Sequence, residues 1–293
     1  MQRVVQIVLD GVSLGGLYAL VTLGIALVFG VMRLINFAHA QLIMTGAYAT
    51  VLLQSQPSPV MVVGTVLAVV VLALAMERIA FRPIRNADPT TLLVTSFALS
   101  YLIQNVAILI FGLPKSVNIL GQLDSPVVIG GVHLSGLDLT VIGITIVLLV
   151  GLSLFLGRSR LGIQMRGAAE DFQMARLMGV RANRIIAVAF AISGAFAGVV
   201  AVLLAVQVGV VTPSFGVEPV LIGFVATVVG GMGSLFGAAV GGFSIGILSA
   251  VLQSVLPFGV VPFRDALVFS LVIVTLLIRP QGLLPSASLR ERV

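Results

Sequence analysis

Few side chains in this sequence are suited to covalent or metal chemistry. The chain has no cysteine, so it offers neither a thiolate nucleophile nor a disulfide framework, and its two histidines are His39 and His133. No paired carboxylates and no serine–histidine–aspartate set lie where water-excluded chemistry could occur. We therefore expect no catalytic, metal or cofactor site on this chain, and no enzymatic activity.

Isolated polar side chains inside long uncharged stretches are better candidates for functional residues. Asn36 and His39 lie three residues apart beside Arg33, a spacing that puts both on one helical face. This pair could form a polar patch on a path through the stretch. The alternative is a hydrogen-bonded helix start in which Asn36 is the N-cap. The sequence leaves both interpretations open.

A second polar group lies in the uncharged stretch 89–114. Gln104 and Asn105 are adjacent there, and Ser96 lies on a nearby turn. Side chains of this kind line a path for a solute, or they hold neighbouring helices together by hydrogen bonds. The candidate pathway residues are therefore Asn36, His39, Ser96, Gln104 and Asn105.

The composition shows what surrounds these polar groups. Hydrophobic residues make up 59% of the 293 residues and charged residues only 9%, whereas soluble domains carry about 25% charged residues. The mean hydropathy is +1.22. These values predict an all-α, polytopic membrane protein. The net charge of +6 then reflects loops rather than a nucleic-acid partner, because Lys and Arg concentrate on the cytoplasmic side of membranes.

The uncharged runs define the candidate spans, since a helical crossing needs about 20 mostly apolar residues. Two runs, 34–76 and 219–263, are too long for one crossing and must break, the first at 54–59 and the second at 230–234. We expect about eight to ten spans or part-spans in a single domain, 1–293, with the seventh and last short. The candidates are 6–30, 36–53, 60–77, 90–112, 138–157, 185–207, 219–231, 235–256 and 264–279.

The arginines predict the orientation. Twelve of them lie in the loops 77–88 and 158–184 and in the C-terminal tail, which fall on one side if the spans alternate. That side is expected to be cytoplasmic. The loops 113–137 and 208–218 contain Lys115 as their one basic residue and are expected to face outward. The C-terminus is then cytoplasmic, whereas the side of the N-terminus is left open because Arg3 argues against an outer location.

The loop 158–184, here called the basic loop, is too polar to cross a membrane but is not a flexible linker. Good helix formers fill 164–178, and Gly179 is suited to end that helix. Phe172, Ala175 and Met178 recur at helical spacing and predict one apolar face. The helix could lie on the lipid surface, dock into a groove of a partner protein, or be a solvated connection.

Regularly spaced glycines predict close helix packing. Gly233, Gly237 and Gly241 follow one another at intervals of four, and Gly194 and Gly198 repeat the spacing. Small residues at this interval let helix backbones approach closely. The contact could be made within the chain or with another subunit.

Five motifs together resemble those of ABC importer permeases for branched-chain amino acids, in particular the shorter of that family's two permease subunits. They occur in the family's order from about residue 11 to residue 284. They are Gly16–Leu20 with Gly30–His39, Glu77–Arg85 (E-R and R-P-I-R), Arg166–Val180 (R-G-A-A-E-D followed by A-R-L-M-G-V), Gly230–Ala238 (G-G-M-G-S-L-F-G-A) and Arg279–Leu283 (R-P-Q-G-L).

The resemblance implies a transmembrane subunit that depends on partners. These are a second related permease (a heterodimer, with a homodimer as the alternative), two cytoplasmic ATP-binding subunits that hold ATP and magnesium, and an extracytoplasmic substrate-binding protein. The chain agrees in one respect, because it contains no G-x-x-x-x-G-K-[ST] phosphate loop. The implied location is a bacterial-type cytoplasmic (inner) membrane, and the implied substrates are leucine, isoleucine and valine.

The same resemblance assigns the basic loop to ATPase coupling. Its helix would insert into a groove of the ATPase through a set of residues in 166–179. The residues implied are Arg166, Ala169, Glu170, Asp171, Ala175, Leu177, Met178 and Gly179. The alternatives are a related permease for urea, short amides, other amino acids or sugars, and a stand-alone secondary transporter. The second would need acidic residues at span centres, and the sequence has none there.

Overall fold

The computed structural model describes residues 2–112, 114–117, 127–129, 132–257, 259–279 and 282–284. These residues are mostly helical. The helices are α1 (Gln2–Met32), α2 (His39–Leu53), α3 (Ser58–Met76), α4 (Pro89–Phe111), α5 (Gly136–Arg158), α6 (Arg160–Glu170), α7 (Phe172–Leu177), α8 (Ala182–Val208), α9 (Val217–Gly230), α10 (Leu235–Val255) and α11 (Arg264–Ile278). A π-helical turn, Glu77–Phe81, continues α3, and a 3₁₀ turn, Val261–Phe263, precedes α11.

Four short strands form two antiparallel pairs. The strand β1 (Lys115–Ser116) pairs with β4 (Val210–Val211), and β2 (Val127–Ile129) pairs with β3 (Val132–Leu134). The pairing of β1 with β4 holds together the segments that follow α4 and α8. Much of the expected outer loop, residues 113, 118–126, 130 and 131, lies outside the described residues, as do Arg290 and Arg292 of the tail.

Seven helical segments of the described chain are long and apolar enough to cross a membrane. They confirm the predicted all-α, polytopic membrane fold. The two expected breaks are also confirmed, because α2 ends at Leu53 before α3 begins at Ser58, and α9 ends at Gly230 before α10 begins at Leu235. The last span is a short α-helix of 15 residues, as predicted, and reaches 18 residues from Val261 to Ile278 when its 3₁₀ turn is included.

The second candidate span is shorter than predicted. Its helix, α2, begins at His39, because α1 ends before Arg33, whose φ of 53° is left-handed, and no helix resumes before His39. The Oδ1 of Asn36 accepts a hydrogen bond from the backbone N–H of Ala38 at 3.1 Å. Asn36 therefore stabilises a turn and is not the N-cap. The prediction that Asn36 and His39 share one helical face was wrong.

The chain divides into two compact units. Unit 1 comprises Met1–Ala26, Gly121–Val150 and Leu221–Val293, and unit 2 comprises Leu27–Leu120 and Gly151–Val220. In unit 1, α10 packs closely on α1, because a Cβ on Gly246 would collide with the backbone of Gly15. Tyr18, Ile222 and Ile245 contribute to its apolar core.

Unit 2 is built around a bundle of α2, α3 and α8. The helices approach closely at glycines, since a Cβ on Gly198 of α8 would lie 2.9 Å from the Cα of Val66 on α3. A Cβ on Gly194 would lie 2.8 Å from the Cβ of Ala73, and one on Gly46 of α2 would lie 2.5 Å from the Cβ of Ala201. These distances agree with the close packing predicted from the spacing of Gly194 and Gly198.

Candidate functional site

A group of polar side chains is buried in unit 2 where α2 begins. This polar cluster consists of the buried residues Asn36, His39, Gln41, Ser96 and Ser193 and the half-buried Ser100. The His39 ring is 1% exposed, and its Nδ1 lies 3.3 Å from the Oγ of Ser193 on α8. The Nε2 of Gln41, which is also 1% exposed, donates to the Oγ of Ser100 on α4 at 3.0 Å. The start of α2 is thus bonded to two other helices.

Three atoms of the polar cluster have no hydrogen-bond partner among the described residues. They are the Nδ2 of Asn36, the Nε2 of His39 and the Oε1 of Gln41. A buried polar atom left unpaired costs about 1–3 kcal/mol, so native proteins rarely leave several of them together. Water or a polar group of a passing solute could pair with them. This concentration within six residues makes the polar cluster the best candidate for a hydrated point in a membrane pathway.

Ser96 connects α4 to the same region. Its Oγ donates to the carbonyl oxygen of Leu93 at 2.7 Å and lies 3.4 Å from the backbone nitrogen of Phe37. The Phe37 and Phe97 rings stack there with centroids 4.1 Å apart. Three of the predicted pathway residues, Asn36, His39 and Ser96, therefore come together.

The structure separates the other two candidates from the polar cluster. The Nε2 of Gln104 donates to the carbonyl oxygen of Pro213 at 3.3 Å, which ties α4 to the segment before α9. The Nδ2 of Asn105 donates to the carbonyl oxygen of Tyr101, one turn earlier in its own helix, at 2.8 Å. Both side chains thus have structural partners.

The candidate pathway residues did not include three members of the polar cluster, Gln41, Ser100 and Ser193. Gln41 could have been found, because it is an uncharged polar residue two positions after His39 in an otherwise apolar run. Ser193 carried no such signal, since a lone serine in a long apolar helix commonly bonds its own backbone. Only the approach of α8 to α2 places Ser193 beside the imidazole.

The basic loop forms two helices, so the prediction of one helix over 164–178 was wrong. Asp171 has an extended conformation with φ at −141°, which ends α6, and its Oδ1 accepts from the backbone N–H of Met174 at 2.9 Å as the N-cap of α7. Gly179 adopts φ of 85° after α7, and the N–H of Val180 bonds the carbonyl oxygen of Ala175. This is the Schellman geometry that a glycine favours.

The first helix of the basic loop is fixed to the rest of unit 2. Met165 and Ala168 are 2% and 3% exposed, and a Cβ on Gly162 would collide with the backbone at Phe155. The Nη2 of Arg33, just after α1, donates to the carbonyl oxygen of Ala169 at 2.7 Å. Movement of α6 would therefore act directly on the end of α1.

The second helix of the basic loop exposes apolar side chains. Leu177 and Met178 are 83% and 81% exposed and Met174 is 55% exposed, at positions i, i+3 and i+4. Ala175 is buried at 8%, and Phe172 is half-buried. The predicted apolar face was therefore wrong in one respect, because Met178 points away from Phe172 and Ala175. Arg166, Glu170 and Asp171 are exposed in the same loop.

The loop continues into α8, and the start of α8 is linked to the end of α3. The Nη2 of Arg85 forms a 2.6 Å salt bridge with the Oε1 of Glu77, a carboxylate in the π-helical turn that is only 4% exposed. The Nη1 of the same arginine donates to the Oδ1 of Asn183 in the first turn of α8. The Arg85 guanidinium thus connects the end of α3 to the first turn of α8.

Two of the three predicted packing glycines lie at backbone contacts within unit 1. A Cβ on Gly237 would collide with the carbonyl oxygen of Gly230, and one on Gly241 would collide with that of Ala226. Both contacts hold α9 against α10. Gly233 lies before α10 instead, in the turn, where its φ of 92° needs a glycine. The predicted row of small residues therefore starts at Gly237.

Comparison with known proteins identifies the family. The family described as "Branched-chain amino acid transport system / permease component" matches residues 7–278. The chain is 34% identical to the high-affinity branched-chain amino acid transport system permease protein BraD of Pseudomonas aeruginosa, over 95% of both chains. It is 32% identical to the permease protein LivH of Escherichia coli K12, over 95% of this chain and 94% of LivH.

A more distant similarity involves a second kind of permease. The chain is 37% identical to the permease protein LivM of Salmonella typhimurium over 146 residues, which cover 47% of this chain and 32% of LivM. The match to the family extends over nearly the whole chain, in agreement with seven helical segments able to cross a membrane. This chain is therefore a multi-pass membrane protein that belongs to the family of branched-chain amino acid transport permease components.

Proposed function

We propose that this chain is one permease subunit of an ATP-driven importer for leucine, isoleucine and valine, and that α7 is where the ATPase holds it. The observation that carries this proposal is the exposure of Leu177 and Met178 on a short helix within a polar loop. Apolar side chains in such a loop are expected to be covered by a partner. The fixed contacts of the same loop with α1 and α8 supply a route for movement.

The route has two branches. Movement of α7 and α6 acts on α1 through the hydrogen bond between Arg33 and Ala169, and on α8 through the direct chain connection at Ala182. Because Gly194 and Gly198 hold α8 against α3 at close backbone distance, these helices move as one body. That body carries Ser193 of the polar cluster, so ATPase closure would rearrange the hydrogen bond to His39.

The substrate proposal rests on the relatives and on the chemistry of the polar cluster. BraD and LivH are described as high-affinity branched-chain amino acid permeases. A pathway for such solutes needs apolar walls with a few polar groups, since a strongly polar site would hold the zwitterion too tightly for release. The polar cluster, with three unpaired polar atoms in an apolar surrounding, fits that requirement.

The proposal includes partners and an orientation. The second permease would resemble LivM, to which this chain is similar over 146 residues. Two ATPase subunits and an extracytoplasmic binding protein complete the transporter, in a bacterial-type inner membrane. Arg33, Arg82, Arg85 and Arg176 come together at one end of unit 2, whereas β1 and β4 pair at the other end of α4 and α8. We assign the arginine end to the cytoplasm.

Reconstituted transport tests the proposal. The full-length chain, with its second permease, ATPases and binding protein in proteoliposomes, should take up labelled leucine only with ATP, and unlabelled isoleucine or valine should compete. An ATPase subunit with its phosphate-loop lysine replaced is the matched control and should abolish uptake. Leucine uptake by the chain alone, driven by a proton or sodium gradient, would contradict the proposal in favour of a secondary transporter.

The orientation has its own test, because the chain has no native cysteine. A single cysteine replacing exposed Ser116 should react with an impermeant maleimide added to spheroplasts, whereas one replacing exposed Arg160 should react only after permeabilisation. The opposite labelling pattern would reverse the assigned orientation.

A further inference from the structure

A cavity of about 460 Å³ lies in unit 2 beside the basic loop, in the size range of small-molecule sites. It is formed by the end of α1, the segment after the π-helical turn, α7 and the first turn of α8. Arg33, Arg82, Arg85 and Arg176 line it, so four guanidinium groups from three separate parts of the sequence converge there. We call it the basic cavity.

Positive charge in the basic cavity is poorly balanced. Glu77 is paired with Arg85, and within the described part of the chain no carboxylate forms a salt bridge with Arg33, Arg82 or Arg176. Asn86 and Asn183 add neutral amide groups to the lining. Four arginines against one carboxylate leave an excess of positive charge, which would attract an anion.

Arg85 has incomplete hydrogen bonding in the basic cavity. Its Nε is buried and has no hydrogen-bond partner among the described residues, although its two terminal nitrogens are bonded to Glu77 and Asn183. Burial lowers the pKa of this guanidinium from its usual value, and the charges of Arg82 and Arg176 lower it further against the opposing effect of Glu77. An anion in the cavity would relieve the repulsion and supply an acceptor.

The position of the basic cavity indicates which anion fits. The lining includes Val31, Leu92 and Ile186, apolar residues near the end of α1 and near the starts of α4 and α8. Since these helices span the membrane, their ends lie at the level of the lipid headgroups. A cavity with arginines at its charged end and aliphatic side chains beside them matches a phosphate group attached to an acyl chain.

We propose that the basic cavity binds a phosphate group, supplied by the headgroup of an anionic phospholipid. Arginine forks bind phosphate oxygens through paired, charge-assisted hydrogen bonds, which Arg82 and Arg176 can supply while Arg33 and Arg85 keep their own bonds. Because Phe172, Gln173 and Arg176 of α7 line the cavity, a bound phosphate would also hold α7 in place. This role goes beyond transport and requires no partner subunit.

Binding of defined probes tests the proposal. The full-length chain, purified in detergent and stripped of lipid, is titrated with dioleoylphosphatidylglycerol, with dioleoylphosphatidylcholine and with inorganic phosphate, and binding is followed by native mass spectrometry and by the melting temperature. We expect phosphatidylglycerol to bind more tightly than phosphatidylcholine. Arg82→Gln and Arg176→Gln should each weaken that binding about fivefold, the effect of one basic residue near an anionic surface.

Arg78→Gln is the matched control, because Arg78 is exposed in the same π-helical turn and does not line the cavity. Arg85 is left intact, since its removal would strand buried Glu77. In a second outcome, inorganic phosphate binds in a way that depends on Arg82 and Arg176, and the two lipids bind equally. That outcome would confirm a phosphate site but contradict its assignment to a phospholipid, and it would assign the site to a soluble ligand. No binding of any probe, or an equal loss in Arg78→Gln, would overturn the proposal.

Discussion

The segments α7 and α8 are neighbours in the sequence, yet they differ in where their large apolar side chains lie. Along α8, large side chains such as Ile185, Phe190 and Phe196 are buried, and glycines let other helices approach closely. In α7, alanine is buried while Leu177 and Met178 are exposed. Leu109 and Leu277 of the spans are as exposed as Leu177, at 85% and 79%, but lipid can cover them. Exposure therefore indicates a protein partner only where the surrounding sequence is too polar for lipid.

The largest effect is expected from placing a bulky side chain at a closely packed glycine of α8. Gly198→Leu should destabilise the fold by about 3 kcal/mol or more, because its side chain would overlap the Val66 backbone. The loss would be measured as a fall in melting temperature and in the monodisperse fraction during size-exclusion chromatography. Gly151→Leu is the control, since no atom lies within 4 Å of a Cβ there. Equal behaviour of the two variants would contradict the close-packing account.

Charged substitutions of the exposed apolar residues of α7 should lower transport without lowering the stability of the fold. Leu177→Glu combined with Met178→Glu should lower ATP-driven uptake about tenfold or more, the scale of losing a central apolar contact in an interface. The melting temperature should stay unchanged because both side chains are exposed.

Ile163→Glu places the same charge on α6 at a 52% exposed apolar position and should retain most uptake. Normal uptake by the α7 double variant would remove α7 from the coupling interface. A loss of stability in that variant would mean that its side chains pack within the chain.

Much of the fold could be predicted because lipid imposes a simple rule. Backbone groups in hydrocarbon must bond within their own segment, so uncharged runs of sufficient length become helices, and the breaks after Leu53 and Gly230 followed from length and turn residues. The late start of α2 could not be predicted in the same way. It depends on the left-handed conformation of Arg33 and on the hydrogen bond between Asn36 and Ala38. A hydropathy profile shows neither of these local features.

The candidate site was predicted less completely for the same reason. Asn36, His39 and Ser96 were recognisable as polar residues in apolar runs, but their meeting with Ser193 depends on how α8 packs. In the basic loop the resemblance implied one helix over 166–179 as the coupling element, a role that stays a prediction. The resemblance did not indicate that Asp171 divides the segment or that Met178 turns outward, because both follow from capping bonds of single residues.

A smaller loss of stability, together with a loss of transport, is expected from a substitution in the polar cluster. Gln41→Met keeps the length of the side chain but removes its amide, and the loss of the bond to Ser100 should cost about 1 kcal/mol of stability. If the polar cluster lies on the pathway, uptake should fall much more than stability. Asn105→Leu is the comparison, since Asn105 bonds its own helix. Equal uptake in both variants would leave Gln41 a purely structural role.

The smallest effect is expected at the cap of α7. Asp171→Ala should destabilise that helix by about 1 kcal/mol, because the Met174 N–H loses its acceptor. Hydrogen exchange of the amides in 172–178 should accelerate about fivefold, the rate equivalent of that energy. Asp171→Asn keeps a capping oxygen and should exchange nearly as slowly as the parent. Equal acceleration in both variants would attribute the effect to the charge and not to the cap.

The central claim is that an ATPase subunit covers the exposed face of α7. Single cysteines at Met178 and at Ile163, introduced into this cysteine-free chain, can be labelled with a maleimide with and without the ATPase subunits. The account predicts that the ATPase slows labelling at position 178 strongly and leaves position 163 unchanged. Equal labelling of position 178 in both preparations would contradict it.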